Sequence, residues 1–278
     1  YGYGGVLGQY IKNHAGIEVT VVSTDGSKAN IQGIASGDYQ LGTVQSDVMA
    51  YAYNGTSLFE NKIDSFSTVA ALYMEQVQIV TTNSSIKSVA DLKGKTVSIG
   101  AAGSGVYTNA LHVLEAAGMT VEDIDAQLLS FSESADGLKN KQIDAAFIVA
   151  GAPTTAIVEL ATTKTAYLVS IEDANVDKLL KTSPYYAKSI IKAGTYNGQT
   201  EDVTTVTVKA TLIVDANASE DDVYALTAAI FDNAEAITAA HAKGAELSLE
   251  NATSGMTVPF HAGAAKYFAE KGVTVSTN

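Results

Sequence analysis

Five short stretches carry the residues best suited to holding a small polar ligand. Gly103-Ser104-Gly105 lies between an apolar run and a helical pattern. A glycine-rich turn there lets backbone N–H groups and the positive end of the helix face a carboxylate or a phosphate. Read alone, it is equally an ordinary turn between strand and helix. Ser23-Thr24-Asp25-Gly26-Ser27 has a similar position and reads slightly better as a helix cap than as a ligand loop. Gln45-Ser46-Asp47 follows the apolar run 41–44, at the carboxyl end of a buried strand, where open α/β sheets bind ligands. The plain alternative is that Ser46 or Asp47 caps the next helix. Tyr73-Met74-Glu75 follows Val69-Ala70-Ala71-Leu72, so Tyr73 is either a hydroxyl donor at a strand end or a half-buried core tyrosine. In Ala150-Gly151-Ala152-Pro153-Thr154, Gly151 permits close backbone approach and Pro153 suits a first helical turn. Five small, polar loops at five strand ends have the layout of a cleft between two α/β lobes.

Catalytic patterns fail one by one. The G-x-G-x-x-G fingerprint stops at Thr108, and no P-loop follows any glycine run. Ala102 and Val106 occupy the glycine positions that a G-x-S-x-G nucleophile elbow requires around Ser104. His14, His112, His241 and His261 form neither H-x-x-x-H nor H-E-x-x-H, and there is no cysteine. Asp221 and Asp222 open a helical pattern and read as partners of its dipole. The expectation is a protein with no catalytic residues, no metal and no cofactor.

Composition narrows the partners. The 278 residues are 46% apolar and 17% charged, a globular balance, with a net charge of −13. Such a surface repels nucleic acid and anionic membrane faces. All 17 basic residues are lysines. Any bound anion must therefore rest on lysine, hydroxyl, amide or backbone N–H groups, with no bidentate arginine fork. No apolar run reaches the length of a membrane span. The chain opens at Tyr1-Gly2-Tyr3 with no Met and no signal-peptide pattern, so a processed or trimmed chain is the expectation.

The elements that must position these loops alternate in type. Helical spacing marks 5–13, 27–36, 46–53, 105–117, 132–139, 154–160, 219–242 and 262–271, with a short helix at 88–94. Strand patterns mark 17–23, 40–44, 78–82, 96–99, 127–129, 145–149 and 203–214. Alternation predicts an α/β fold with mostly parallel sheets. The division expected is a first lobe of 1–77 plus 205–278 and a second of 78–204, joined by two crossing hinge strands.

The same loops carry a family resemblance. The stretches are Ser36-Gly37-Asp38-Tyr39-Gln40-Leu41-Gly42-Thr43-Val44-Gln45-Ser46-Asp47, Ser88-Val89-Ala90-Asp91-Leu92-Lys93-Gly94-Lys95 and Gly100-Ala101-Ala102-Gly103-Ser104-Gly105. Leu129-Ser130-Phe131-Ser132-Glu133, Gln142-Ile143-Asp144-Ala145-Ala146-Phe147 and Glu246-Leu247-Ser248-Leu249-Glu250-Asn251 continue the series. Their order resembles the TAXI family, the substrate-binding proteins of one class of tripartite ATP-independent periplasmic (TRAP) transporters. The resemblance implies a type II periplasmic-binding-protein fold, a ligand cleft between two lobes, and an extracytoplasmic monomer. It further implies delivery of a small acid, such as glutamate or a related dicarboxylate, to a TRAP-type permease. It places Tyr3, Ser27, Gln45, Ser46, Tyr73, Gly103, Ser104, Gly105 and Gly151 at the ligand. Two departures stand out. The chain begins inside the family's opening Gly/Thr-rich loop, at Tyr1-Gly2-Tyr3, so the expectation is either a numbering that starts late or a lobe one without its first strand. Val106 stands where a Thr is common. A sensor or surface protein on the same fold, or an enzyme on this scaffold, is the alternative reading.

Overall fold

Two compact units make up the structure, a computed structural model that describes residues 2–278. Unit 1 holds residues up to Tyr73 and again from Lys209 to Asn278, and unit 2 holds Met74–Val208. The chain crosses from one to the other twice, within two long strands.

Unit 1 starts with helix α1 (Gly2–Ala15), whose apolar face Tyr3, Leu7 and Ile11 is buried. The expected opening loop is thus helical from Gly2 onward, and Tyr1 lies outside the described residues. Helix α2 (Ser27–Ser36) ends at Gly37, whose φ of 84° is the left-handed conformation that closes a helix. Strand β1 (Leu41–Gln45) and helix α3 (Ser46–Asn54) follow, and then strand β2 (Phe66–Thr81).

In unit 2, β3 (Thr96–Ser98) leads into α4 (Gly105–Ala116), β4 (Asp125–Gln127), α5 (Phe131–Lys139) and β5 (Ala145–Ala150). Next come α6 (Thr155–Thr163), β6 (Tyr167–Leu168), α7 (Asp173–Thr182) and β7 (Ala187–Ile191). Strand β8 (Val203–Asp215) returns the chain to unit 1 and to α8 (Glu220–Phe231), α9 (Ala234–Ala240), α10 (Leu249–Thr253) and α11 (Ala262–Glu270). Ser130 and Glu133 form a reciprocal capping box on α5, and the Ser219 hydroxyl accepts the Asp222 N–H on α8. The turn at 89–92 is a 3₁₀ helix rather than an α-helix.

The sheet is mixed, not mostly parallel. Strand β3 is parallel to β4 and β5, while β5 is antiparallel to β2, and β8 is antiparallel to both β1 and β7. Alternation of helix and strand predicts parallel neighbours only for strands joined by crossovers. Strand β2 instead arrives in unit 2 from unit 1 with its direction already set. One apolar cluster sits under α8, α11 and α1 in unit 1. Unit 2 has two clusters, one around Leu92, Leu114 and Phe147 and one around Leu138, Ile148 and Leu160.

Two further expectations are corrected. Residues 17–23 form no strand and take no place in a ladder among the described residues. Strand β1 gives one edge to β8, and α2 side chains occupy backbone groups on β1 itself: Asn30 Nδ2 donates to the Thr43 carbonyl (2.7 Å) and the Gln45 N–H to Ser27 Oγ (3.0 Å). Val19 and Val21 lie instead over α1, where a Cβ on Gly8 would come within 3.2 Å of Val19. The long helix expected over 219–242 breaks after Phe231. Asn233 leaves helical geometry (φ −114°, ψ 19°) while its side-chain amide bonds back to the Ala229 carbonyl at 2.9 Å.

Candidate functional site

Unit 1 gathers Ser27, Gln45 and Ser46 at the β1–α3 junction, all buried. The two serines are not helix caps. Ser27 Oγ accepts the Gln45 N–H at 3.0 Å and Ser46 Oγ accepts the Lys209 N–H at 3.0 Å, so they pin β1 and β8. Each hydroxyl accepts there and keeps its own proton to donate. Asp47 is fully buried and takes the Gln45 amide (3.3 Å) and the Val48 N–H (2.9 Å) on one oxygen.

A second group in unit 1 joins Tyr3 of α1 to Tyr73. Tyr73 is not at a strand end; it lies in the middle of β2, the last residue of that strand's unit 1 half. A residue that points across a continuous strand has no sequence signal to separate it from one that closes it. The two tyrosine rings meet edge to face at 5.4 Å, and Tyr3 packs against His241 at 5.0 Å. The Tyr3 hydroxyl is buried with no hydrogen-bond partner among the described residues. Burial first, and the Glu246 carboxylate second, hold its pKa above the ordinary phenol range.

Unit 2 contributes Gly103, Ser104 and Gly105, which form the turn before α4 and its first residue. Gly103 has a φ of 80° and open space where a Cβ would stand. Ser104 occupies the N-cap position with extended backbone but makes no side-chain cap bond. This contrasts with Ser130 and Ser219, whose hydroxyls cover the first-turn N–H groups of α5 and α8. Ser104 Oγ is buried without a partner among the described residues, and so is Thr108 Oγ1, one turn further along the same helix face. Buried hydroxyls without partners are uncommon because each forfeits its bonds to water. Thr108 carries no motif that would single it out in the sequence, and its register on α4 is the only signal that could have found it.

Gly151 lies in a loop held from three sides. Gln78 Nε2 donates to Thr154 Oγ1 (2.9 Å) and to the Ala150 carbonyl (3.3 Å). The Tyr196 hydroxyl donates to Gln78 Oε1 and accepts the Thr154 N–H. Gln76 Oε1 takes the Ala152 N–H at 3.1 Å, and Thr154 Oγ1 donates to the Gly151 carbonyl at 3.0 Å. Gln78 and Tyr196 escape sequence inspection because their partners are distant in the chain. Gln78→Leu removes the acceptor for Tyr196 and the donor to Thr154. It should destabilise unit 2 by about 1–3 kcal/mol, the cost of leaving buried polar groups unpaired. Urea unfolding measures this, and a loss under about 0.5 kcal/mol would show that the network does not brace the loop.

A groove of about 530 Å³ elsewhere in unit 2 is lined by Asp125, Glu133, Asp136, Gln127 and Gln142 among others. None of the nine expected ligand residues reaches it, and its carboxylates disfavour an acid. No group of three or more metal-ligating side chains occurs among the described residues, and no described helix is long and apolar enough to cross a membrane.

Two units exchanging two strands, with polar turns at α4 and α3, define an α/β fold of the type II periplasmic-binding-protein class. The alkanesulfonate-binding protein SsuA from Xanthomonas axonopodis pv. citri, bound to MOPS, superposes with a TM-score of 0.54 at 17% identity, over 96% of this chain and 80% of that one. The GluR0 ligand-binding core from Nostoc punctiforme with L-glutamate gives 0.53 at 17% identity, over 87% and 89%. AbpA, an amino acid ABC transporter substrate-binding protein from Streptococcus pneumoniae bound to L-arginine, gives 0.53 at 13% identity, over 89% and 86%. Likeness at this identity speaks for the fold. The chain itself belongs to the NMT1-like family, which it matches over residues 1–272.

Proposed function

We propose that this chain is an extracytoplasmic solute-binding protein that captures a small organic acid or amino acid and delivers it to a membrane transporter. One observation carries the reading. The start of α4 has no side-chain cap, sits behind the open Gly103 turn, and is flanked by two buried hydroxyls, Ser104 and Thr108, that lack partners among the described residues. An anion supplies what these groups lack, because the first-turn N–H groups and the helix dipole both favour negative charge. A carboxylate on α4 needs no arginine, which suits a chain that has none. Within unit 1, the Ser27 and Ser46 hydroxyls, each with a proton to donate, are further candidates to hold a polar group of the ligand.

The sequence motifs favour glutamate or a related dicarboxylate as ligand and a TRAP-type permease, as in the TAXI family, as partner. The ligands of the structural relatives, a sulfonate buffer, L-glutamate and L-arginine, agree in presenting an acid group. Calorimetric titration with L-glutamate and succinate tests the reading. Ser104→Ala should weaken acid binding by about 1.5–3 kcal/mol, the contribution of one hydrogen bond to a charged group. Unchanged affinity in that variant would move the site away from α4. Pull-down of a permease of the TRAP type from a reconstituted membrane would separate transport from sensing.

A further inference from the structure

Unit 1 holds a charged pair made by Glu246, which opens one of the motif stretches, and Lys243, which lies outside them. Lys243 Nζ lies 2.6 Å from Glu246 Oε1, and their side chains are 16% and 29% exposed, whereas the other ion pairs are mostly far more open. The pair sits on the 3₁₀ turn Ala242–Glu246, three residues apart, so both side chains rise from one face. That turn is fixed against its neighbours. A Cβ on Gly244 would come within 2.5 Å of the Thr238 backbone nitrogen, so the turn is pressed against the end of α9. Lys243 Nζ stands 5.7 Å from the centroid of the Tyr73 ring. The Glu246 carboxylate is close enough to bear on the Tyr3 hydroxyl, which is itself buried and without a partner. A lysine, a glutamate, the Tyr73 ring and the Tyr3 hydroxyl therefore converge from α1, β2 and the 242–246 turn.

We propose that Lys243 is a specificity-determining residue of this binding protein: it receives a carboxylate of the ligand by exchanging it for Glu246. The proposal rests on the solute-binding reading above and names its substrate class, an acid with a second carboxylate. Three considerations support it. The chain has no arginine, so a cation for a ligand must be a lysine. Lys209 borders the same unit at Ser46, but its ammonium is taken by the Asn251 and Ser254 carbonyls and the Ser254 hydroxyl. Lys243 instead is held by a carboxylate, which a ligand carboxylate can replace with like chemistry, and its partial desolvation strengthens whichever acid it meets. Glu246 then sets a threshold. A ligand must outcompete it, which a dianion does better than a monoanion.

The experiment is calorimetric titration of the intact protein with glutarate, L-glutamate and propionate. Lys243→Met should weaken glutarate and L-glutamate at least tenfold and leave the melting temperature near that of the parent. Glu246→Gln should tighten glutarate severalfold, because it frees the ammonium; a purely structural pair would lose stability in both variants and show no opposite shifts in affinity. Lys243→Arg should keep most of the binding. If the unaltered protein binds none of the three acids, this assignment falls together with the reading it rests on. If it binds glutarate and Lys243→Met binds it equally well, the assignment alone falls.

Discussion

Gly100→Ala is expected to destabilise unit 2 by about 2–5 kcal/mol and to weaken acid binding with it, the sum of a left-handed conformation for a residue with a Cβ and overpacking against neighbours. Gly100 has a φ of 90°, and a Cβ there would come within 2.6 Å of the Val106 Cβ and 2.7 Å of Ser104 Oγ. Both atoms belong to the start of α4, so relief of the clash requires displacing the turn that carries Ser104 and Gly105. The Gly103→Ala variant separates the two contributions. Gly103 also has positive φ, but nothing lies within 4 Å of its added Cβ, so only the conformational cost of about 1–2 kcal/mol applies. Urea midpoints at constant m-value measure both variants. Equal losses in the two would show that close packing at Gly100 contributes nothing.

Phe268→Ala should cost unit 1 about 3–5 kcal/mol, the range for truncating a buried phenylalanine to leave a cavity. The ring is fully buried on α11 and meets Phe231 at 5.6 Å, Tyr267 at 5.6 Å and Phe260 at 6.0 Å between centroids, mostly edge to face. Phe260 is tied by a bridge to Thr68 on β2, and Phe231 closes α8, so one side chain joins three parts of the unit. The backbone has little room to collapse around the void. Gly263 on the same helix would place a Cβ 2.3 Å from the Glu220 carbonyl, so α11 and α8 are already in close contact. Phe268→Leu, nearer in volume, should lose under about 1.5 kcal/mol. A loss for Phe268→Ala below that of Phe268→Leu would mean that the cluster repacks freely.

Much of the secondary structure was legible because its causes are local. Ser27 to Ser36 folds as the periodicity requires, and Gly37 stops it. Ser219 caps α8 through Asp222, three residues on. The Gly103-Ser104-Gly105 turn stands before a helix that runs almost to the expected residue. Long-range pairing was not legible. Residues 17–23 have the alternation of a strand yet take no place in a ladder among the described residues, while α2 side chains bond to β1's own backbone groups. A single sequence carries hydropathy and spacing, and neither records which edge is already satisfied.

At the candidate site the division falls in the same place. Residue order alone identified the glycine turn before α4, the hydroxyls of Ser27, Ser46 and Ser104, and the lack of arginine that rules out a guanidinium grip. Tertiary structure decided which of those hydroxyls pin strands and which are left without partners. It also set Lys243 against Tyr73, a pairing 170 positions apart that no spacing rule contains. Caps, turns and composition arise from bonds within a few residues. The convergence of α1, β2 and the 242–246 turn arises from burying their apolar faces in one core, and that is a property of the packed chain.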